Sequence, residues 1–507
     1  MTLTQTPKPE YEKATATPVD PKATKETKAL MSYLKSVYGS HIISGQQEIY
    51  GGGNDGDSEK EFNYIKDNTG KLPAIRGFDF MNYNPLYGWE DGTTERAIKW
   101  AKEQNGIVTA SWHINVPIDF DKYTLGDKVD WKKCTYKNYQ ASNSTFNTAN
   151  AVKEGTKEYE YFQECMKDLA EQLQKLQDAN VPIILRPLHE AQGNEGNYGD
   201  GTSWFWWGDR GAEVYKELWK LLYTTLTEEY GLHNIIWEYN SYNYANSDTW
   251  YPGDDYVDIV AYDKYNCDFN RDDGQSSGTP NLSAISSIFN YLYELTSGKK
   301  MVAMAENDSI PSEENMVIEN AGWLYFCPWY GDHLMSSQYN DAAQLKKMYT
   351  SDYCITLDEL PKDLYGNAEP GTTVTTDATT DTTAETTTET ETTATTYFSV
   401  VTTTEDTVET TVETTVSTAD TEESTETTVE SSATETSADT TATTASETTV
   451  TTKGAVEAAT LYGDINLDGR VDITDAVLLN KAAANTVSLS AQQQANADCD
   501  ESGEVDS

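Results

Sequence analysis

Eight short apolar runs occupy the first 365 or so residues, and each passes into polar or aromatic residues at its far end. They are IISGQQE (42–48), LPAIRGFDF (72–80), GIVTASWHIN (106–115), VPIILRPLHE (181–190), NIIWEYN (234–240), VDIVAYDKY (257–265), MVAMAEN (301–307) and GWLYFCPWYG (322–331). Between them lie segments of helical periodicity, such as TERAIKWAKEQ, YFQECMKDLAEQLQKLQDA and AEVYKELWKLLYTTLTEEY. Eight strands separated mostly by helices predict a (β/α)8 TIM barrel, whose usual span includes a segment of this length. An open doubly wound sheet is the competing α/β architecture, but no Gly-rich phosphate loop follows the first run.

The barrel explains the polar ends. Strands of such a barrel finish on one common face, where active sites sit. Gln47, Glu48, Asp79, Trp112, His113, His189, Glu190, Tyr239, Asn240, Asp263, Tyr265, Glu306, Asn307 and Trp329 all fall there. Strand alternation sets Arg186, Leu188 and Glu190 on one face, and Val302, Met304 and Glu306 on another. Glu190 and Glu306 are then expected to approach each other across the mouth. Facing carboxylates serve glycoside hydrolysis, one protonated to donate to the leaving oxygen and one ionised to attack or to activate water. Trp206, Trp207 and Trp329 offer flat apolar surfaces for the C–H faces of sugar rings. Taken singly, a strand-end Glu is ordinarily solvated or ion-paired and a Trp cluster is ordinarily core. It is their coincidence that points to an enzyme. His189 and Glu190 do not begin an HExxH pattern, since the chain reads HEAQG, so zinc is not expected.

Composition bounds the rest. The 507-residue chain carries a net charge of −47, which disfavours nucleic acid or an anionic membrane as partner. No run reaches the ~18 apolar residues of a membrane span. The N-terminus lacks the apolar core of a signal peptide. Six cysteines show no CxxC pairing, and five lie in the core-rich region, so at least one thiol there is expected to be free. From residue 371 to 452 the chain is almost entirely Thr, Ser, Ala, Val and acidic residues, without a single Lys or Arg. Such a segment cannot offset chain entropy by burial and is expected to be a disordered, extended linker of the kind O-glycosylated in secreted proteins. The expected domains are an extension (1–24), a barrel (25–365), the linker (366–455) and a small all-α module (456–507).

That module is read from GDINLDGRVDITDAVLLNK. Asp464, Asn466, Asp468, Asp472 and Asp475 occupy positions 1, 3, 5, 9 and 12 of a loop, with Gly469 at the sharp turn and Arg470 offering its carbonyl. Oxygen ligands at this spacing suit calcium. Asp498, Asp500, Ser502 and Asp506 begin a second copy that stops at Ser507, before its position 12, so the expected module is truncated.

RPLHEAQGN…SWFWWG, together with AMAEND, resembles glycoside hydrolase family 26, clan A barrels dominated by endo-β-1,4-mannanases, over about residues 25–360. The resemblance implies a retaining double displacement needing no cofactor, with Glu190 as acid/base, Glu306 as nucleophile and carboxyls about 5–5.5 Å apart. It further implies that His113 and His189 line the −1 subsite and that Arg186 steadies the nucleophile. Tyr265 would donate to the nucleophile, with Asp263 beside it, and Trp207 and Trp329 would be sugar platforms. EGNYGDGT (195–202) is longer and richer in glycine than the family pattern. The C-terminal calcium loops resemble a dockerin, which implies a cohesin partner, a cellulosome and secretion. A monomeric mannanase is therefore expected. Mixed-linkage β-glucan or β-1,3-xylan are alternative substrates, and a non-catalytic carbohydrate binder or a calcium-dependent scaffold component are alternative roles.

Overall fold

In a computed structural model, each apolar run becomes one strand: β1 Ile42–Gln47, β2 Ile75–Asp79, β3 Ile107–Trp112, β4 Ile183–Pro187, β5 Ile235–Asn240, β6 Ile259–Lys264, β7 Met301–Asn307 and β8 Tyr325–Phe326. The structure describes residues 9–49, 56–193, 203–268, 271, 273–366, 462, 465, 467, 478 and 489–497. Successive strands from β1 to β7 pair in parallel, and β8 pairs with the free edge of β1. Leu324 N donates to Val302 O (2.8 Å) and Trp329 N to Asn307 O (2.9 Å), which closes β8 onto β7. The result is the expected barrel, not an open sheet. A short further strand, β9 Cys354–Ile355, runs beside the start of β1.

Both faces of these strands are covered, one by the barrel interior and one by the helices, so they read as nearly continuous apolar runs. The covering helices are α1 Lys25–Val37, α2 Lys60–Thr69, α3 Thr93–Gln104, α4 Thr148–Ala151, α5 Lys157–Asp178, α6 Gly211–Thr224, α7 Ser286–Leu295, α8 Glu313–Ile318, α9 Asp332–Met335 and α10 Ala342–Tyr349. In α5, Phe162, Cys165, Met166, Leu169, Leu173 and Leu176 recur at three- and four-residue intervals and are buried. Thr156 starts that helix by accepting a hydrogen bond from Tyr159 N (3.2 Å). All five described cysteines are unbridged, Cys134 half-buried and the other four buried.

Residues 9–24, read from sequence as a separate extension, lie against the barrel. Val19 N donates to Asp258 Oδ1 (2.7 Å), Asp20 pairs with His233 (2.7 Å), and Thr24 N donates to His233 O (2.9 Å). The Tyr11 ring fills space that two glycines leave open: a Cβ on Gly39 would lie 2.2 Å from its Cγ, and one on Gly322 would lie 2.6 Å from its hydroxyl. That hydroxyl donates to Asn320 O (2.6 Å) and accepts from Gly322 N (3.0 Å). Nothing in the polar, Pro-rich text of this segment signals such docking, because the complementary feature is glycine elsewhere. A separate unit takes the chain from Thr375 onward. Its described residues include a short helix, Ala491–Ala497. The ten proposed calcium ligands, Asp464 to Asp506, lie outside the described residues, as does the 195–202 segment.

Emptying the space between the two glycines is expected to cost about 2–4 kcal/mol for Tyr11→Ala. Urea unfolding of the barrel checks this, and an unchanged midpoint would mean that residues 9–24 are an independent tail.

Candidate active site

The strand carrying LRPLHE stops earlier than alternation assumes. β4 ends at Pro187, and Leu188 and Glu190 both adopt left-handed backbone, with φ +53° and +51°. Side-chain alternation therefore does not reach Glu190, which enters the mouth from a turn rather than from a strand face. Asn240, at the end of β5, accepts a hydrogen bond from Glu190 N (2.7 Å) and fixes the turn. Gly193 N donates to Glu190 O (3.0 Å), and Trp204 N donates to Gly193 O (3.0 Å).

The tryptophan run lies behind this turn. Trp207 Nε1 donates to His189 O (2.7 Å), and Trp206 Nε1 donates to Ile114 O (2.8 Å). Gly208 presses so close that a Cβ there would sit 1.8 Å from Ala191 O, which explains the glycine closing WFWWG. Both indoles are essentially inaccessible, at 1% and 0% exposure, so neither has a face for a sugar. The platform reading of Trp206 and Trp207 is corrected: they brace the mouth from inside, because four aromatics in a row must turn mostly inward. Trp204, stacked on Phe205 and 39% exposed, is the member of the run that reaches solvent. Trp329 is half-buried and lines the cavity described below.

Glu306 comes from β7 through an irregularity. Tyr262 pairs with Met304, but the next pair is Asp263 with Glu306, so Ala305 is an extra residue that bulges the strand. The bulge sets the two carboxylates side by side. Arg186, 2% exposed, reaches both: Nη1 meets Asp263 Oδ2 at 2.8 Å, and Nη2 is ion-paired with Glu306 Oε1. Tyr265 OH donates to the other Glu306 oxygen (2.7 Å). Both oxygens of Glu306 are thus held by donors.

Glu190, Asp263 and Glu306 each offer an oxygen within 4.8 Å of the others. Three carboxyls this close could hold a cation, and here Arg186 supplies positive charge to two of them. Burial, then the neighbouring Glu306 charge, pushes the Glu190 carboxyl up to about 7. Asp263 is also raised, chiefly by burial, against the pull of Arg186.

Two histidines face the same space. Asp79, the last residue of β2, accepts from His113 N (3.1 Å) and pairs with His113 Nδ1. Burial opposes the charged imidazole of His113, but Asp79 outweighs it and the pKa is raised. His189 is held neutral by burial, then by Arg186 and His113. Their Nε2 atoms lie 3.2 Å apart, so one ring donates to the other. The sequence marked Asp79 and Asn240 only as polar strand ends; their roles depend on partners 34 and 50 residues away.

A cavity of about 390 Å³ is lined by Gln47, Asp79, His113, Tyr139, Trp329 and Tyr330, among others, over the ends of β8, β1, β2 and β3. A second, of about 360 Å³, lies over β5 and β6, with Tyr244, Tyr262 and Tyr265 in its wall. Glu190 and Glu306, following β4 and on β7, divide the two around the ring. A chain laid across the mouth would thus cross the carboxyl cluster.

Comparison with known proteins gives a consistent picture. The model of Glycosyl hydrolase family 26 matches residues 19–359, and that of the Dockerin type I domain matches 462–507. A mannan endo-1,4-beta-mannosidase of Thermothelomyces thermophilus is 34% identical over 345 residues, 67% of this chain and 62% of the relative. Mannan endo-1,4-beta-mannosidase B of Piromyces sp is 36% identical over 354 residues, 69% of this chain and 54% of the relative. The chain therefore spans less than two thirds of the length of these curated relatives. Among solved structures, a ruminal GH26 endo-beta-1,4-mannanase is 60% identical with a TM-score of 0.67, covering 70% of this chain and 72% of the other. A Podospora anserina GH26-CBM35 beta-(1,4)-mannanase is 33% identical with a TM-score of 0.58, covering 70% of each.

The charge balance of the mouth is directly measurable. In carboxyl NMR, Glu190 is expected to titrate near 7, and Glu306→Gln is expected to lower that midpoint by removing the adjacent negative charge. Asp79→Asn should lower the His113 midpoint, since burial is then opposed only by the weaker pull of Glu306. A Glu190 titration in the ordinary carboxylate range would sink this account.

Proposed function

The chain belongs to Glycosyl hydrolase family 26, and we propose that it is a retaining endo-β-1,4-mannanase, with Glu190 as acid/base and Glu306 as nucleophile. One observation carries the reading. A carboxyl pushed up to about 7 sits with an oxygen within 4.8 Å of one from a carboxylate anchored by Arg186 and Tyr265. Inverting enzymes need about 6.5–9.5 Å between the pair to admit a water, so the short spacing favours retention.

In the first step, a Glu306 oxygen attacks the anomeric carbon while the Glu190 proton passes to the departing glycosidic oxygen. The C–O bond to the leaving sugar breaks and a glycosyl ester on Glu306 forms. In the second, Glu190, now ionised, takes a proton from water, whose oxygen attacks the same carbon and releases Glu306. Every proton and electron pair is supplied by the two residues and water. Arg186 and Tyr265 orient the nucleophile through its two oxygens. Asp263 shares Arg186 with the nucleophile, while burial and the Glu306 charge raise Glu190. His113 and His189, hydrogen-bonded to each other, are placed to line the −1 subsite, and Trp329 offers its half-buried ring as a platform.

The dockerin type I domain supports an extracellular, cellulosomal enzyme bound to a cohesin. The domain scheme is a barrel to about residue 365, a Thr-rich tether over 366–455, and the dockerin beyond it. The oxygen donors Asp464, Asn466, Asp468, Arg470 (by its carbonyl), Asp472 and Asp475, followed by Asp498, Asp500, Ser502 and Asp506, suit calcium, a hard cation. Among the described residues no helix is long and apolar enough to cross a membrane.

Reducing-sugar release from glucomannan, galactomannan, lichenan and β-1,3-xylan tests substrate and mechanism together. Release from the two mannans is expected to dominate and to fall about a thousandfold or more in Glu306→Ala. Because Glu190 must begin each cycle protonated, kcat/KM is expected to decline as pH rises past about 7. Preference for lichenan or xylan would overturn the substrate, and an unaffected Glu306→Ala would overturn the mechanism.

A further inference from the structure

Tyr265, which donates to the nucleophile, is only half-buried, because part of its ring lines the cavity over β5 and β6. A phenol on a cavity wall needs a further surface to keep its hydroxyl on Glu306. His333, on α9 beyond β8, supplies one. Its ring meets the Tyr265 ring edge-on, with centroids 5.5 Å apart and planes 77° apart, a favoured arrangement for aromatic pairs.

His333 is in turn held by its surroundings. Its ring packs on that of Tyr339, with centroids 4.7 Å apart. The Tyr339 hydroxyl donates to Asp268 (2.8 Å), and Gln338 Nε2 donates to the same carboxylate (3.3 Å). The His333 ring also hydrogen-bonds the backbone of Tyr330, the residue after Trp329. Asn340 fixes the main chain: its Nδ2 donates to His333 O (2.6 Å) and to Asp308 O (2.7 Å), and its Oδ1 accepts from Ile310 N (3.0 Å). The Asp308 carboxylate accepts from Cys267 N (2.8 Å), two residues beyond Tyr265.

These bonds clamp three loops into one unit. The chain after β6 carries Tyr265, the chain after β7 continues from Glu306, and the chain after β8 carries His333. Burial holds the His333 imidazole below its ordinary value, although Asp308 and Glu306 pull the other way. The ring is therefore uncharged at neutral pH and packs on the phenol without competing with Arg186 for the nucleophile.

We propose that His333 is a positioning residue for the displacement, which keeps the Tyr265 hydroxyl on Glu306 and acts on the nucleophile only through that ring. For the reaction this rests on the mannanase reading; for the contact it does not.

The test is a double-mutant cycle over Tyr265→Phe and His333→Ala, with His333→Phe and Tyr339→Phe beside it. It reads kcat and KM on glucomannan, together with the carboxyl carbon NMR signal of Glu306 at a fixed pH. His333→Ala is expected to lower kcat about three- to tenfold with KM little changed, as loss of one aromatic contact would give. In the Tyr265→Phe background the same substitution should add nothing. His333→Phe should recover most of the loss, and the Glu306 signal should move in the same direction in His333→Ala as in Tyr265→Phe. Losses that multiply in the double variant, or a Glu306 signal that His333→Ala leaves in place, would overturn the proposal. If His333→Ala does not fold, Tyr339→Phe, which frees the ring from behind, takes its place in the cycle with a smaller loss of the same kind. A wild type that hydrolyses nothing, but whose Glu306 signal follows both substitutions, would overturn the hydrolase reading and uphold the contact.

Discussion

Arg186 is the residue around which the mouth of the barrel is built. Three carboxyls with oxygens within 4.8 Å of one another would not remain together in a buried site without compensation. Its guanidinium, almost wholly buried, forks between Asp263 and Glu306 and leaves Glu190 outside its direct reach. That asymmetry divides otherwise similar side chains: Asp263 and Glu306 share the cation, and Glu190, beyond it, is raised by burial and by its neighbour's charge. Losing one partner of such a buried pair typically costs about 3–5 kcal/mol. The arrangement is therefore structural as well as chemical.

Below this layer the barrel keeps further polar groups satisfied rather than excluding them. Glu238 on β5, raised to about 7 by burial, accepts from Tyr325 OH on β8 across the interior (2.6 and 2.7 Å). Lys264, wholly buried at the end of β6, donates to Asn281 O (3.0 Å) and Ser309 Oγ (2.8 Å) and so fixes the chain after β7. The Glu238–Tyr325 pairing joins strands that are not neighbours. A shift of one strand end is thereby opposed from the far side of the ring.

The eight strands were legible because parallel strands covered on both faces need long apolar runs, and few other structures do. Glu306 was legible for a related reason, as it remains within its strand. The route by which Glu190 arrives was not, since φ values near +50° at Leu188 and Glu190 leave no mark in residues that carry side chains. Nor was the Ala305 bulge visible, because alanine fits either register. The orientation of Trp206 and Trp207 escaped for a third reason. A flat aromatic suits a core and a sugar equally well, and only the carbonyls of Ile114 and His189, distant or hidden in the backbone, decide between them.

The hydrogen bonds at Gly193 have a wider consequence. Glu190 is joined to Gly193, and Gly193 to Trp204, so the chain leaves and re-enters the mouth at what is effectively one point. Closing a loop costs only about 0.6 kcal/mol more for each doubling of its length. Gly193 and Trp204 therefore form a fixed pair of terminals beside the acid, so a change of chain length between them need not move it. Diversification can proceed there while the reacting groups stay where Arg186 and the buried indoles hold them.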